Sequence, residues 1–99
     1  MEKTIKIDGK DVRLKITAAF PLHFNALTGK DFFYQDSTTQ RFYDTVWAAA
    51  KCADSAIPDV TEWVDSFEVF PVMAIFNEVT DFISRSITAT KNAKPAAGK

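Results

Sequence analysis

Along "TIKIDGKDVRLKIT" apolar and polar residues alternate. Ile5 and Ile7 occupy one alternating face and Val12, Leu14 and Ile16 another, with Asp8-Gly9-Lys10 between them. A period of two predicts a β-hairpin, and Gly9 supplies the positive φ that a tight turn demands. An isolated two-stranded hairpin is marginal in water, so its apolar face must rest on the helices later in the chain.

Beyond the hairpin the apolar pattern lengthens to the period of helices. In "FPLHFNALTG" Phe20, Phe24 and Leu27 share a face, Pro21 sits in the first turn, and Gly29 is the stop. "KDFFYQDSTTQ" shows no sustained period and reads as a loop that has room for a helical turn. "QRFYDTVWAAAKCAD" predicts a helix with Phe42, Val46, Ala49, Ala50 and Ala53 on one stripe, opposite Asp44 and Lys51. Trp47 falls roughly 120° from the centre of that stripe, so it either widens the buried face or offers an indole to a partner. The alanines predict close approach by another helix.

Asp59 begins the next helix as its N-cap, with Glu62 at capping-box spacing and Pro58 marking the break before it. Val60, Trp63, Val64 and Phe67 form its apolar arc, and Glu62, Asp65 and Glu68 the remainder. Phe70-Pro71 interrupts this pattern. Val72, Ile75, Phe76, Val79, Phe82, Ile83 and Ile87 then line a last helix, with Asn77, Glu78, Asp81 and Arg85 facing away. The expected fold is mainly α with a small N-terminal β-hairpin (α+β), the hairpin packed on a three- to four-helix bundle. One domain is expected over residues 1 to 87. The stretch "TATKNAKPAAGK", residues 88 to 99, has nothing to bury and reads as a flexible tail.

Composition narrows the function. Ninety-nine residues with nine Phe and two Trp suit one globular core. A net charge of −1 gives no footprint for nucleic acid. Lys6, Lys10, Arg13 and Lys15 make a small basic patch, without the aromatic stacking pattern or recognition helix that nucleic-acid binding needs. No apolar run approaches the ~20 residues that cross a bilayer, and "MEKTIKIDGK" lacks the apolar core of a signal peptide. The single cysteine, Cys52, has no internal partner, which fits a reducing cytosol.

No catalytic set emerges. Residues 54 to 84 carry Asp54, Asp59, Glu62, Asp65, Glu68, Glu78 and Asp81 without Lys or Arg. A catalytic carboxylate needs burial or a close partner to displace its pKa, whereas Glu62, Asp65 and Glu68 lie on the water side of a helix. A lone His23 and a lone Cys52 cannot assemble the usual zinc set or a triad, and both read as structural residues. Gly9, Gly29 and Gly98 form no phosphate loop, so no cofactor is expected. What remains is a surplus of aromatics: Phe32, Phe33, Tyr34, Tyr43, Trp47, Trp63 and Phe70. Most belong to the core and a minority could anchor a protein partner, which points to a binding module.

The order of segments carries a resemblance. "KTIKIDGKDVRLKITAAFPLHFNALTGKDFF", then "AKCADSAIPDVTEWVDSFEVF" and a last apolar-acidic helix, resembles the tail assembly chaperones of long-tailed bacteriophages and prophages of Gram-positive bacteria. The match spans roughly residues 3 to 87, and "IDGK", "LTGKD" and "IPDVTEWVDSFEVF" are its most characteristic pieces. The resemblance implies a non-enzymatic protein of the infected bacterial cytoplasm that is absent from the mature virion. It implies binding to the tape measure protein and to the major tail (tube) protein, with a homo-oligomer along the former as an allowed arrangement. Many such genes also give a longer product by ribosomal frameshifting, for which "TKNAKPAAGK" would suit as a joint. The alternative is a small permanent structural component of the tail or head-tail joint. The family supplies no site residues. The surface inferred from the sequence places Trp47, Trp63, Phe67 and Phe70 near a groove between helices, with Glu62, Asp65 and Glu68 at its rim.

Overall fold

A computed structural model describes residues 1–34 and 38–87. The expected tail, 88 to 99, lies outside the described residues. The hairpin consists of β1 (Glu2–Ile7) and β2 (Lys10–Lys15), paired antiparallel with Ile5 opposite Val12 and Lys3 opposite Leu14. That register puts both alternating sets on one face, because residues directly opposite share a side of the sheet. Ile5, Ile7, Val12, Leu14 and the adjoining Ile16 are all buried. The other face holds Glu2, Thr4, Lys6, Asp11, Arg13 and Lys15 in water, with Lys6 and Asp11 paired at 2.7 Å. Asp8 and Gly9 take φ of 55° and 77°, the two left-handed positions that a two-residue hairpin turn requires.

Four helices complete the described chain: α1 (Phe20–Thr28), α2 (Thr39–Ala53), α3 (Val60–Asp65) and α4 (Val72–Ile87). Helix α1 ends where Gly29, at φ 75°, donates its N–H to Asn25 O at 2.7 Å. Thr38 caps α2, its hydroxyl accepting from Arg41 N. Asp59 caps α3 as its spacing predicts, accepting from Glu62 N at 3.3 Å. Helix α3 closes at Asp65, short of the extent implied by its apolar arc, and Phe67 lies just beyond it, outside the helix.

Helix α2 is the centre of the molecule. Trp47, Ala48, Ala49 and Ala50 are four successive positions, which at 100° per residue sweep most of the helix circumference, and none is open to water. β2, α1, α3 and α4 all pack on this helix, and the hairpin and α4 pack mainly on it rather than on each other. This corrects the one-stripe reading. Asp44, expected on the water side, is only 4% exposed, and its carboxylate accepts from Gln40 Nε2 at 2.8 Å and pairs with Lys30 Nζ at 3.3 Å. A helix enclosed on several sides has no fully wet face, so its polar residues must find partners inside. Trp47 accordingly widens the buried surface. Lys51, expected beside Asp44 in water, is half-buried and folds back to donate to the carbonyls of Ser55 and Ile57.

Helix α4 keeps to its sequence pattern. Ile75, Val79, Phe82 and Ile83 are buried, and Phe76 meets Phe42 of α2 with ring centroids 4.8 Å apart. Asp81 and Arg85 form the expected exposed pair at 2.9 Å, worth at most ~0.5 kcal/mol.

The hairpin tip is tied to the segment after α3. Asp8 Oδ2 accepts from Glu68 N at 3.0 Å, and Lys10 Nζ donates to Ser66 O at 3.2 Å while lying 5.1 Å from the centroid of the Phe67 ring. Asp8 therefore combines a left-handed backbone with a long-range acceptor.

These contacts set the expected cost of two substitutions. Ala49→Leu should cost about 1–3 kcal/mol in urea denaturation by overfilling the enclosed face of α2. Asp8→Ala should cost about 1–3 kcal/mol, losing both the Glu68 bond and the tolerance for positive φ. Asp8→Asn, which keeps an acceptor and that tolerance, should fall within about 0.5 kcal/mol of the parent.

Candidate protein-docking surface

The sequence-inferred surface divides when its residues are placed. Trp63, Phe67 and Phe70 come together as a three-ring cluster, with centroids 5.4 Å (Trp63 to Phe67), 5.8 Å (Trp63 to Phe70) and 5.5 Å (Phe67 to Phe70) apart. Tyr43 of α2 joins it, 5.6 Å from Phe70. Trp63 is the buried keel at 7% exposure, whereas Phe67 and Phe70 are half-buried. Trp47 stands apart from this group: it is 8% exposed, and its indole N–H is committed to Pro58 O at 2.8 Å. Neither indole is open at the surface.

Glu62, Asp65 and Glu68 are exposed, as a solvated helix face requires. Beside the ring cluster lies a shallow groove of about 170 Å³, walled by Gln40 and Tyr43 of α2 and by Val60, Thr61, Val64 and Asp65 of α3. Only Asp65 of the three inferred rim carboxylates lines it. Val69, just before Phe70 in the chain, and Met73, in the first turn of α4, are also exposed. Sequence pattern singles out neither, since an isolated Val between helices and a Met in the first turn of a helix carry no periodic signal.

A second apolar surface lies on the 31–34 turn. Phe33 and Tyr34 are 63% and 70% exposed, the former set edge-on against Phe32 with centroids 5.7 Å apart. Phe32 itself is wedged edge-on against Phe20 and Phe24 at 5.4 and 5.3 Å. The anchor is Arg41, which the sequence did not single out. Its guanidinium donates to Phe32 O at 2.7 Å and Tyr34 O at 2.9 Å, and lies 4.9 Å from the Phe32 ring centroid. No sequence motif announces an arginine whose partners are backbone carbonyls.

A larger concavity, about 430 Å³, is an open cleft lined by Lys15, Thr17, His23, Ala26, Leu27, Lys51, Cys52 and Ser55. It gathers the lone histidine and the lone cysteine. His23 is exposed at its edge, and Lys51 is already engaged by two carbonyls. Burial pushes the Cys52 thiol above its ordinary pKa, with the nearby Lys15 charge opposing the shift. That is the reverse of an activated nucleophile.

Among the described residues, no group of three or more His, Cys, Asp or Glu side chains could hold a metal ion, and no helix is long and apolar enough to cross a membrane. No protein-family model, curated protein or solved structure matches the chain.

The cleft makes a titration prediction. The midpoint of thiolate formation, tracked by ultraviolet absorbance, should lie above that of an unburied cysteine and rise further in Lys15→Gln. The folded chain holds the thiol proton more tightly than the unfolded chain, so this group's stabilising effect is full at neutral pH and fades as pH climbs through the raised pKa.

Proposed function

We propose that this chain is a phage tail assembly chaperone, holding the tape measure protein and tail-tube subunits by non-covalent contact in the host cytoplasm before the tail is complete. The observation that carries the reading is the physical coupling of the segments that define the resemblance. "IDGK" supplies Asp8 and Lys10, and "IPDVTEWVDSFEVF" supplies the Ser66, Phe67 and Glu68 groups that they grip. "LTGKD" closes α1 and supplies Lys30, which pairs with the buried Asp44. The segments on which the resemblance rests are thus in contact within one fold.

The surface chemistry supports the same reading. A holdase for a long amphipathic helix needs shallow apolar footholds with charge nearby to stay soluble. Exposed Phe33 and Tyr34 on one turn, and Val69 and Met73 around Phe70, offer such footholds, with Glu68 next to the second.

The decisive experiment is co-expression with the tape measure protein of the same tail. The soluble fraction of that protein should rise severalfold and co-purify with this chain, and Phe33→Ser/Tyr34→Ser or Val69→Asp/Met73→Asp should reduce the effect while leaving circular dichroism unchanged. Equal solubility with and without the chain would falsify the proposal. Mass spectrometry of purified virions tests the timing: stoichiometric presence would favour a permanent structural part.

A further inference from the structure

The sheet has an unused edge. The two-residue turn makes Ile7 and Lys10 a hydrogen-bonded pair, and beyond the other end Ile16 N–H donates to Met1 O at 2.9 Å. Bonded and non-bonded pairs alternate in an antiparallel ladder. Lys3, Ile5 and Ile7 therefore spend their backbone groups on β2, and Glu2, Thr4 and Lys6 turn theirs outward. No described residue bonds those outward groups, and all three residues are exposed.

Edges of this kind are ordinarily protected by a bulge, a proline, a short strand or charge. β1 is six residues long, in unbroken register and without proline, so charge is its guard. The arrangement of that charge is selective. When two β1 strands meet antiparallel about a two-fold axis through Thr4, Glu2 lies opposite Lys6 of the second copy, Thr4 opposite Thr4, and Lys6 opposite Glu2. All three outward-facing residues then form hydrogen-bonded pairs, with opposite charges side by side on the wet face. A parallel in-register pairing would set Glu2 beside Glu2 and Lys6 beside Lys6. β2 is less self-complementary: a two-fold through Arg13 would set Asp11 opposite Lys15 but would also oppose two guanidinium groups at its centre, and Arg13 already reaches Ala53 O at 3.1 Å.

We propose that the chain dimerises through antiparallel β1–β1 pairing, forming one four-stranded sheet across two molecules. The interface uses only the hairpin edge, so it stands or falls independently of the tape measure reading.

Charge exchange tests it. In analytical ultracentrifugation the parent should show a concentration-dependent dimer. Glu2→Lys alone and Lys6→Glu alone each set like charges together and should weaken dimerisation by about tenfold or more. An equimolar mixture of the two variants restores the charge balance in a heterodimer and should bind more tightly than either variant binds itself. Thr4→Pro removes an outward N–H that the hairpin does not use, and should give a folded monomer by circular dichroism. The proposal is overturned if the parent stays monomeric at millimolar concentration. It is equally overturned if Glu2→Lys or Thr4→Pro leaves the dimer intact, or if two folded charge variants bind each other no better than themselves. Protection of the Glu2, Thr4 and Lys6 amides only in the presence of a different protein would assign the edge to a foreign strand, and would also defeat it.

Discussion

Close approach to the alanine run of α2 is the constraint on which the other elements depend. Ala48, Ala49 and Ala50 are fully buried, and they keep that part of the helix narrow enough for sheet and helices to pack around it. Enclosure changes what the helix must carry. A helix with one wet face can leave its polar residues to solvent, whereas α2 must satisfy Arg41, Asp44 and Thr45 internally. Each has a partner: carbonyls and rings for Arg41, Lys30 and Gln40 for Asp44, and the Arg41 carbonyl for Thr45 at 2.8 Å. Those bonds tie the loop before α2 to the helix itself.

A second constraint acts across the chain. The hairpin is too small to hold its own position, and its apolar face rests on the helices. Its tip is fixed separately by Asp8 and Lys10 reaching the segment between α3 and α4, 56 to 60 residues away in sequence. Lys10 has the inward parity of Val12 and Leu14, so at the end of the strand its stem runs along the apolar face and its ammonium reaches the Ser66 carbonyl. Lys3, at the same parity near the other end, pairs with Glu78 of α4 at 3.2 Å. The two lysines close the ends of the inner face.

The elements were legible in the sequence because their signals are local. Alternation over residues 4 to 16, the Asp59 cap and the long apolar stripe of α4 each depend on neighbours a few positions apart. The burial of Asp44 was not legible for the complementary reason: its surroundings are set by Lys30 and by an enclosure that no helical period encodes. The candidate surface divided along the same line. Phe67 and Phe70 fall into one cluster since they lie close together just past the end of α3, but the fates of Trp47 and Trp63 depended on packing between helices. Both indoles are large enough to fill the seams beside an alanine-rich helix, and that is where they lie. Val69 and Met73 gave no signal because exposure between helices or in a first helical turn has no period.

Rings of this chain differ in how freely they can move, and that bears on binding. An exposed aromatic on a loose loop must be ordered before it can serve as an anchor, at a cost of about 0.5–1.5 kcal/mol per side chain. Phe33 and Tyr34 are held otherwise. Arg41 grips the carbonyls on either side of Phe33, those of Phe32 and Tyr34, while Phe32 is clamped between its neighbours Phe20 and Phe24 and the guanidinium. Asp31 completes the turn by accepting from Phe33 N through its carboxylate at 3.0 Å and from Tyr34 N through its carbonyl at 3.1 Å. The backbone beneath the two most exposed rings is thus fixed by a buried cation, so much of the ordering cost falls on folding rather than on association. A preorganised apolar turn of this kind gains affinity from little contact area, a property that suits the proposed role of taking hold of a long chain and later releasing it.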